Sequence, residues 1–340
     1  YQTGETFPNE SGFYKSKHID NAEVVRCYIF PSKSLSFIPR LWNYFSFVFS
    51  SIIIGIFTLT KVDVLISESP PLFLGISGYI LSKTKGAKWI FNVSDLWPES
   101  AEILGIVKKG GMLNIAYALE RFCYKNAWQV TGQSREIIQD INERFPEVKT
   151  YRLSNGVNIE MFSPENSDTE LRKKLSTDDS CIAIYAGLHG VAQGLDQILY
   201  AAAPLPPETD LSIVLIGDGP EKEELIKLRH KLKLKNLRFL DPLPREDVPA
   251  MLASADIAIV PLKNRIKGAV PSKLYEAMSV GLAVVLIDEG EAAQIVKEAN
   301  AGIVVQPGDI KSLSDALSNL AQDDKLRKDL GKNGIDTVRK

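Results

Sequence analysis

The feature that most constrains the fold of this chain is its alternation of short apolar runs with helical stretches. Several of the runs are continuously apolar, which is typical of strands buried on both faces of a parallel sheet. In the second half, such runs begin near residues 181, 211, 237, 256, 283 and 302. Helical stretches separate them, and a strand–helix–strand period of roughly 25 to 30 residues indicates βαβ units of a doubly wound sheet.

The first half follows the same scheme. Its predicted strands and helices are residues 24–30, 63–67, 88–93 and 128–131, and residues 71–83, 111–126 and 136–144, respectively. A chain of 340 residues is long enough for about two domains, and the polar stretch FSPENSDTE separates the halves. We therefore predict an α/β fold with two Rossmann-like doubly wound domains, residues 1–163 and 164–340, that face a central cleft.

Composition excludes several classes of protein. The 40 Lys and Arg residues nearly balance the 42 Asp and Glu residues, so charge gives no reason to expect a nucleic-acid partner. The cysteines and histidines are scattered, without the spacing of a disulfide framework or a zinc site. Such cysteines are typical of a reducing compartment, so we predict a cytoplasmic protein without a bound metal.

One segment departs from the α/β pattern, because residues 41–60 contain no charged side chain. Its length admits a membrane-spanning helix, a buried helix of a large α/β domain, or a helix that lies at a membrane interface. Asn, Ser and Thr residues within it argue against a span. The aromatic residues between positions 42 and 49 favour the interface over a span, because such rings lie at the headgroup level.

The most informative stretch for function is AVPSKLYEAMSVG, residues 269–281. Pro271 and Ser272 indicate the start of a helix, and Lys273 falls in its first turn. The free N–H groups of a helix N-terminus suit a phosphate, and Lys273 adds a full positive charge. Glu276 lies on the same face, and its carboxylate can accept hydrogen bonds from both vicinal hydroxyls of a ribose. The alternative is a surface Lys–Glu pair of little energetic consequence.

Two glycine turns that follow buried strands support a binding site at the same edge of the sheet. They are YAGLHG, with Gly187 and Gly190, and LIGDGP, with Gly217 and Gly219. Glycines after buried strands let a ligand approach the backbone closely, although one such glycine often marks only a turn. Neither turn has the GxGxxG dinucleotide pattern. His189 lies in the first turn, either as a catalytic residue or as a structural histidine.

Three acidic residues are further candidates. Glu291 opens a predicted helix, where it either lines the site or stabilises the helix dipole. Asp95 and Glu99 lie beyond the carboxyl end of the strand predicted at residues 88–93. Asp95 is a candidate catalytic residue and Glu99 a candidate acceptor-side residue, and the alternative for Asp95 is a cap of the next helix.

The order of these motifs resembles that of the family-4 retaining glycosyltransferases of the GT-B fold. The resemblance runs from about residue 24 to residue 340 and is nearest to bacterial O-antigen and capsule enzymes that transfer amino sugars such as N-acetylfucosamine. The motifs that carry it are DLWPE (95–99), SNGVN (154–158), YAGLHGVAQGLD (185–196), IGDGP (216–220), VPSKLYEAMSVG (270–281) and EAAQIV (291–296).

This resemblance implies roles for the site residues. Glu276 corresponds to the second glutamate of the family's E-x7-E motif, which holds the donor ribose, and Lys273 to a ligand of the diphosphate. The YAGLHG turn would lie under the diphosphate. Glu291 and Ala292 would line the nucleotide and sugar side, and the turn with Asp95 would contribute to the acceptor side.

The chain also departs from the family pattern. Gly268 stands where the first glutamate of E-x7-E is expected, and Leu188, His189 and Gln193 occupy a loop where many relatives have an arginine and a lysine. The family's first strand and glycine-rich loop would precede Tyr1, and its final helix is expected to be cut short at residue 340. We therefore expect the chain to be a fragment of the family's full length.

The implied activity is transfer of a sugar from a nucleoside diphosphate sugar, expected to be a UDP-sugar, to a lipid-linked or saccharide acceptor. Retention at the anomeric carbon, independence of cofactors and metals, and a role in bacterial surface polysaccharide synthesis are part of the same expectation; a DxD metal motif is absent from the sequence. Residues 41–60 would contact the inner face of the plasma membrane. The alternatives are a nucleotide-sugar epimerase of the same fold and a non-catalytic nucleotide-sugar-binding subunit of a polysaccharide assembly complex.

Overall fold

A computed structural model describes residues 12–31, 37–103, 110–176, 180–206 and 209–340. The chain divides into two compact units, Tyr1–Ser154 (unit 1) and Asn155–Lys340 (unit 2). This division precedes the boundary predicted between residues 163 and 164, because the FSPENSDTE stretch packs into unit 2. Phe162 is buried in the core of that unit, and its carbonyl accepts a hydrogen bond of 2.5 Å from Ser279 Oγ.

The described part of unit 1 begins with an antiparallel hairpin of β1 (Tyr14–Ile19) and β2 (Ala22–Cys27). The prediction that residues 24–30 belong to the parallel sheet is therefore wrong. Asp20, in the two-residue turn, has a φ of 52°, a left-handed conformation that aspartate tolerates. Most of the hairpin is exposed, so no buried apolar run marked β1 in the sequence.

The rest of unit 1 alternates helices with strands, and β3, β4, β5 and β6 form a parallel sheet in that order. One face of this sheet is buried, with Trp89, Phe91 and Val130 in a core shared with the helices that follow β4 and β5. On the opposite face, Ile66 is 65% exposed. The elements are α1 (Phe37–Thr58), β3 (Val64–Ser69), α2 (Leu74–Lys85), β4 (Lys88–Val93), α3 (Glu99–Ile103), α4 (Gly111–Asn126), β5 (Gln129–Gly132), α5 (Arg135–Arg144) and β6 (Thr150–Arg152).

Helix α1 covers most of the uncharged segment, and only one side of it is packed. Ser77 of α2 donates a hydrogen bond of 3.2 Å to the Val48 carbonyl, and the Leu81 side chain fills the space beside Gly55. On the other side, Phe49 and Phe57 are exposed. Within the described ranges, no helix is long and apolar enough to cross a membrane.

Unit 2 is built around a six-stranded parallel sheet with the strand order β12-β11-β10-β7-β8-β9. The chain starts at the central strand β7, builds one half of the sheet, and then returns to β10 on the other side of β7. Ahead of the sheet lie a 3-10 turn (Pro164–Asn166) and α6 (Thr169–Leu175). The remaining elements are β7 (Cys181–Ala186), α7 (Asp196–Ala202), β8 (Leu211–Ile216), α8 (Lys222–Leu232), β9 (Leu237–Leu240), α9 (Val248–Ala253), β10 (Ile257–Pro261), α10 (Ser272–Ser279), β11 (Ala283–Ile287), α11 (Glu291–Ala299), β12 (Gly302–Val305), α12 (Ile310–Gln322) and α13 (Asp324–Val338).

Alternate residues of each strand in unit 2 serve two hydrophobic cores, one on each face of the sheet. In β7, Ala183 and Tyr185 belong to one core, and Ile182 and Ile184 belong to the other. This double burial explains why the strands are continuously apolar in sequence. The runs predicted for this half coincide with β7 to β12, so the doubly wound sheet predicted here is confirmed.

Candidate active site

The loops that follow β7 and β8 form one connected edge of the unit 2 sheet. The N–H of Gly187 donates to the Ile216 carbonyl at 2.8 Å, and the N–H of His189 donates to the Asp218 carbonyl at 2.8 Å. The His189 carbonyl in turn accepts a hydrogen bond of 3.0 Å from the N–H of Glu221. The edge also lies beside the point between β7 and β10 where the strand order reverses, at which doubly wound sheets bind ligands.

The glycines of these turns are required by close packing within the protein. Gly217 has a φ of 139°, and a Cβ there would overlap the carbonyl oxygen of Gly187. A Cβ at Gly219 would overlap the carbonyl oxygen of His189, and one at Gly190 would lie 2.8 Å from Gln193 Oε1. The sequence predicted that a ligand approaches the backbone closely at these glycines. At Gly217 and Gly219, the group in close contact is the backbone of the turn after β7.

Lys273 and Glu276 lie on α10, which begins at Ser272 after Pro271, as the sequence predicts. The Lys273 ammonium reaches back to β7, where it lies 5.0 Å from the centre of the Tyr185 ring and 3.4 Å from the Tyr185 hydroxyl. Its side chain also occupies the space that a Cβ on Gly187 would need. A charged side chain on the first turn of a helix and a glycine turn of the central strand therefore meet at one point.

Burial perturbs both charged groups of α10. It lowers the pKa of Lys273, an effect that Glu276 opposes, and it raises the pKa of Glu276, an effect that Lys273 and Arg245 oppose. Arg245 is an exposed residue in the loop between β9 and α9, and the sequence analysis did not identify it. Partly buried ionisable groups with shifted pKa values, such as Lys273 and Glu276, are typical of a binding site for a charged ligand.

His189 is fully buried, unlike most candidate catalytic residues. Its ring centre lies 6.0 Å from that of Tyr185 and 5.9 Å from that of Phe239, and neither ring nitrogen has a hydrogen-bond partner among the described residues. Burial lowers the pKa of His189 to about 4, and the nearby Lys222 lowers it as well. The imidazole is thus neutral and closed off from solvent, which favours the structural alternative; its catalytic role stays a prediction.

Glu291 and Ala292 begin α11, at the carboxyl end of β11, which is separated from β7 by β10. Both are buried, and the Ala292 side chain belongs to the hydrophobic core on one face of the sheet. Ala292 can therefore contact a ligand through its backbone but not through its side chain. These residues share the sheet edge with the glycine turns and α10, as the sequence predicts.

Asp95 and Glu99 lie in unit 1, beyond the carboxyl end of β4. Burial raises the pKa of Asp95, a hydrogen bond with Ser100 opposes that rise, and one carboxyl oxygen has no hydrogen-bond partner among the described residues. Glu99 is half-buried at the first position of α3. Ser100 is the second residue of α3, so the alternative in which Asp95 caps this helix stays open beside the catalytic one.

The same edge of unit 1 carries a polar row that the sequence analysis missed. Asn92 donates a hydrogen bond of 2.7 Å to Glu68 and accepts one of 2.5 Å from the Thr131 hydroxyl, and Ser94 donates to Glu68. Glu68, Asn92 and Thr131 are opposite one another in register on β3, β4 and β5. One polar residue near the end of each apolar strand was the available signal.

Gln197, near the start of α7, was also missed, and it connects three loops of the unit 2 edge. Its side-chain amide donates to the carbonyls of Gly194 and Leu262, at 3.1 and 3.3 Å, and accepts a hydrogen bond of 2.6 Å from the N–H of Gly308. These partners lie in the loops after β7, β10 and β12. The buried amide therefore fixes the loops from which the candidate site is built.

Among the described residues, there is no group of three or more His, Cys, Asp or Glu side chains that could hold a metal ion. The three cysteines are free.

Comparison with known proteins places this geometry in a family. The family described as "Glycosyl transferases group 1" matches residues 166–337, about half of the chain and most of unit 2. A protein of Escherichia coli (strain K12) named as a colanic acid biosynthesis glycosyl transferase, WcaI, is 28% identical over 329 residues, which cover 92% of this chain and 79% of the relative.

Solved structures agree on the fold. Sucrose-phosphate synthase from Thermosynechococcus elongatus superposes with a TM-score of 0.77 at 19% identity, over 98% of this chain and 82% of the other. Anabaena Alr3699/HepE in complex with UDP-glucose superposes with a TM-score of 0.70 at 16% identity, over 89% of this chain and 79% of the other. The chain thus belongs to the group 1 glycosyl transferases and has the α/β GT-B fold of family-4-type enzymes of polysaccharide synthesis.

Proposed function

We propose that this glycosyltransferase transfers a sugar from a UDP-sugar to a lipid-linked or saccharide acceptor, with retention of anomeric configuration, in bacterial surface polysaccharide synthesis. The observation that carries the proposal is the pair of Lys273 and Glu276 on α10 beside the glycine turn at Gly187. An ammonium next to a helix N-terminus suits a diphosphate, and a carboxylate one turn on suits the hydroxyls of a ribose. The resemblance favours an N-acetylated amino sugar as the group transferred.

In this mechanism, positive charge on the protein stabilises the departing diphosphate. The Lys273 ammonium and the free N–H groups at the start of α10 face the phosphates, while Glu276 accepts hydrogen bonds from the ribose and fixes the donor's orientation. Because the ammonium and the helix supply this charge, we propose that neither a metal nor another cofactor is required. Glu291 and the backbone at Ala292 line the sugar side.

On the acceptor side, we propose that Asp95 takes the proton from the attacking hydroxyl, with Glu99 contacting the acceptor. Two features support Asp95: its raised pKa, which brings a carboxyl closer to the working range of a base, and its unpartnered carboxyl oxygen. Transfer then depends on holding the hydroxyl against the anomeric carbon, which is catalysis chiefly by positioning.

The relatives guide the choice of substrates. WcaI is named for colanic acid biosynthesis, which supports a bacterial polysaccharide acceptor, and the HepE crystals contain UDP-glucose, which supports a UDP-sugar as the first donor to test.

The proposal is tested by incubating the chain with a panel of labelled nucleotide sugars and a bacterial membrane lipid extract, and by measuring donor affinity calorimetrically. We expect labelled glycolipid with one donor. Glu276→Gln should weaken donor binding by about 30-fold, since a charged hydrogen bond of about 2 kcal/mol is lost. Glu298→Gln, on the exposed side of α11, is the matched control and should bind as the unchanged chain does.

Two other results would identify the alternatives. Interconversion of the donor sugar without an acceptor would indicate a nucleotide-sugar epimerase. Donor binding without labelled product from any donor or acceptor would indicate a non-catalytic binding subunit. Failure to bind any nucleotide sugar would remove the proposal altogether.

We also propose that α1 brings unit 1 to the inner face of the plasma membrane. Phe49, Ile53 and Phe57 recur along one exposed side of this helix, at the spacing of a single helical face. No charged side chain interrupts residues 41–60. The Lys85 ammonium donates hydrogen bonds of 2.7 and 2.6 Å to the carbonyls of Ile56, in the last turn of α1, and Leu59, just after the helix. An apolar, aromatic and uncharged helix face suits the boundary between headgroups and acyl chains.

A further inference from the structure

Tyr185, the penultimate residue of β7, connects the glycine turn to Lys273. Its hydroxyl donates a hydrogen bond of 2.7 Å to the Leu188 carbonyl, within the turn. The same oxygen accepts a hydrogen bond of 3.4 Å from the Lys273 ammonium, which also lies 5.0 Å from the ring centre. One buried side chain therefore touches both parts of the proposed diphosphate site.

The directions of these hydrogen bonds are fixed by the number of protons. A phenol has one proton, and burial raises the pKa of Tyr185, so the proton is retained. Because that proton is donated to Leu188, the oxygen can act only as an acceptor toward Lys273. A phenylalanine at this position would keep the ring but would lose both interactions.

Apart from Tyr185, Glu276 is the group that stabilises the charge of the Lys273 ammonium. Burial disfavours its charge, and Glu276 compensates in part. Gly187 leaves only enough room for the side chain to pass, since a Cβ there would overlap it. The hydroxyl and the ring face of Tyr185 thus supply attraction that an ammonium in this half-buried position otherwise lacks.

We propose that Tyr185 is a positioning residue, which holds the Lys273 ammonium and the turn at Leu188 in the arrangement that receives a diphosphate. This inference rests on the proposed function, because it assumes that Lys273 binds the donor. Preorganised charge binds a ligand more tightly than charge that must first be arranged, so the loss of the hydroxyl should appear in affinity.

The test is calorimetric titration of UDP into the unchanged chain, Tyr185→Phe, Lys273→Met and the double variant. Tyr185→Phe should weaken UDP binding about five- to tenfold, because the hydrogen bond to the ammonium is long, at 3.4 Å, and therefore weaker than the usual hydrogen bond to a charged group. In the Lys273→Met background, the same change should have a smaller effect, because only the hydrogen bond to Leu188 is left to lose. Tyr200→Phe, which removes a hydroxyl from an exposed tyrosine of α7, is the matched control and should leave binding unchanged.

A pH series separates positioning from a general effect on folding. The groups that face the Lys273 ammonium are Tyr185, Glu276 and His189. UDP affinity should fall as pH rises through the pKa of Lys273, and Tyr185→Phe should move that fall to lower pH because the ammonium loses an acceptor. The titrations are made at a temperature well below the thermal unfolding midpoint of each variant, so that folded proteins are compared.

The outcomes distinguish the two proposals. If the unchanged chain binds neither UDP nor GDP, the proposed function fails and Tyr185 has no diphosphate to position. If the chain binds UDP but Tyr185→Phe binds it equally well, the inference about Tyr185 is overturned while the proposed function stands. Equal losses in both backgrounds, with an unshifted pH profile, would assign Tyr185 a purely structural role.

Discussion

His189 is a fully buried histidine, and burial lowers the pKa of its ring. Its backbone bridges two turns, through the hydrogen bonds with Asp218 and Glu221, while its ring lies between Tyr185 and Phe239. A buried neutral imidazole costs stability as soon as the unfolded chain can take up a proton that the folded chain cannot.

This gives a prediction about acid stability. The pKa of His189 is lowered from 6.5 to about 4 in the folded chain. Its contribution is therefore fully present above pH 6.5 and is lost as the pH falls toward 4, by about 3 kcal/mol in total. Urea unfolding at several pH values measures this slope, which His189→Phe should flatten because a phenyl ring cannot take up a proton.

The same variant tests the catalytic prediction for His189. If the ring acts only through packing, His189→Phe should retain sugar transfer at neutral pH. Loss of transfer with donor binding unchanged would restore His189 to a catalytic role. An unchanged pH slope would instead show that His189 takes up a proton as readily in the folded chain as in the unfolded chain. His230, an exposed histidine on α8, provides the control variant His230→Phe, which should keep the slope of the unchanged chain.

At the scale of the secondary-structure elements, the loops at the edge of the unit 2 sheet depend on one amide. Gln197 satisfies two carbonyls and one N–H in the loops after β7, β10 and β12. Gly194 packs so closely on this amide that a Cβ there would lie 2.7 Å from Gln197 Nε2. Gln197 therefore holds these loops in place through hydrogen bonds, although it contacts none of the residues proposed to bind the sugar donor.

Replacement of this amide should destabilise the protein. Gln197→Leu leaves the Gly308 N–H and the Leu262 carbonyl buried without their partner, at a cost of about 2 to 3 kcal/mol. Gln197→Glu keeps the acceptor for Gly308 but places a carboxyl group against the Gly194 and Leu262 carbonyls, so it should destabilise the protein as well. Chemical denaturation measures both, with Gln294→Leu on the exposed side of α11 as the control. Equal stability of Gln197→Leu and the control would mean that the three loops do not depend on the amide.

The comparison of sequence and structure shows which signals were sufficient. Helix Gly111–Asn126 and strand Lys88–Val93 lie where they were predicted. The helix has an amphipathic period, and the strand buries the apolar side chains of every second residue, Trp89, Phe91 and Val93. The antiparallel hairpin of unit 1 left no such trace, since few of its side chains are buried. In the site, Lys273 and Glu276 were found because a helix start has a recognisable pattern.

Tyr185 and Gln197 could not be found in the same way. A tyrosine in an apolar strand is read as a core residue, and a glutamine near a helix start is read as a solvated one. Their roles depend on partners far along the chain, Lys273 in one case and Leu262 and Gly308 in the other. Such long-range contacts are a property of the folded chain and are not encoded in local periodicity.

At the scale of the whole molecule, the two units differ in their surfaces. Among the described residues, most of the exposed large apolar side chains lie in unit 1, and Phe57 of α1 is exposed by 83%. Isolated apolar residues are common on protein surfaces, but an uncharged helical stripe is not. Unit 2 carries the proposed donor site, so the membrane proposal assigns attachment and donor binding to different units.

The membrane proposal predicts that α1 binds phospholipid. The chain should sediment with vesicles of phosphatidylethanolamine and phosphatidylglycerol, and replacing both Phe49 and Phe57 by serine should lower this partitioning at least tenfold, since each phenyl ring contributes about 1.5 kcal/mol or more when it leaves water. Ile115→Ser, at a residue of α4 that is 69% exposed, is the control for removing an apolar surface side chain. Because all three positions are exposed, the variants should remain folded and bind UDP normally. Equal partitioning of the α1 variant and the control would mean that this helix face does not meet the membrane.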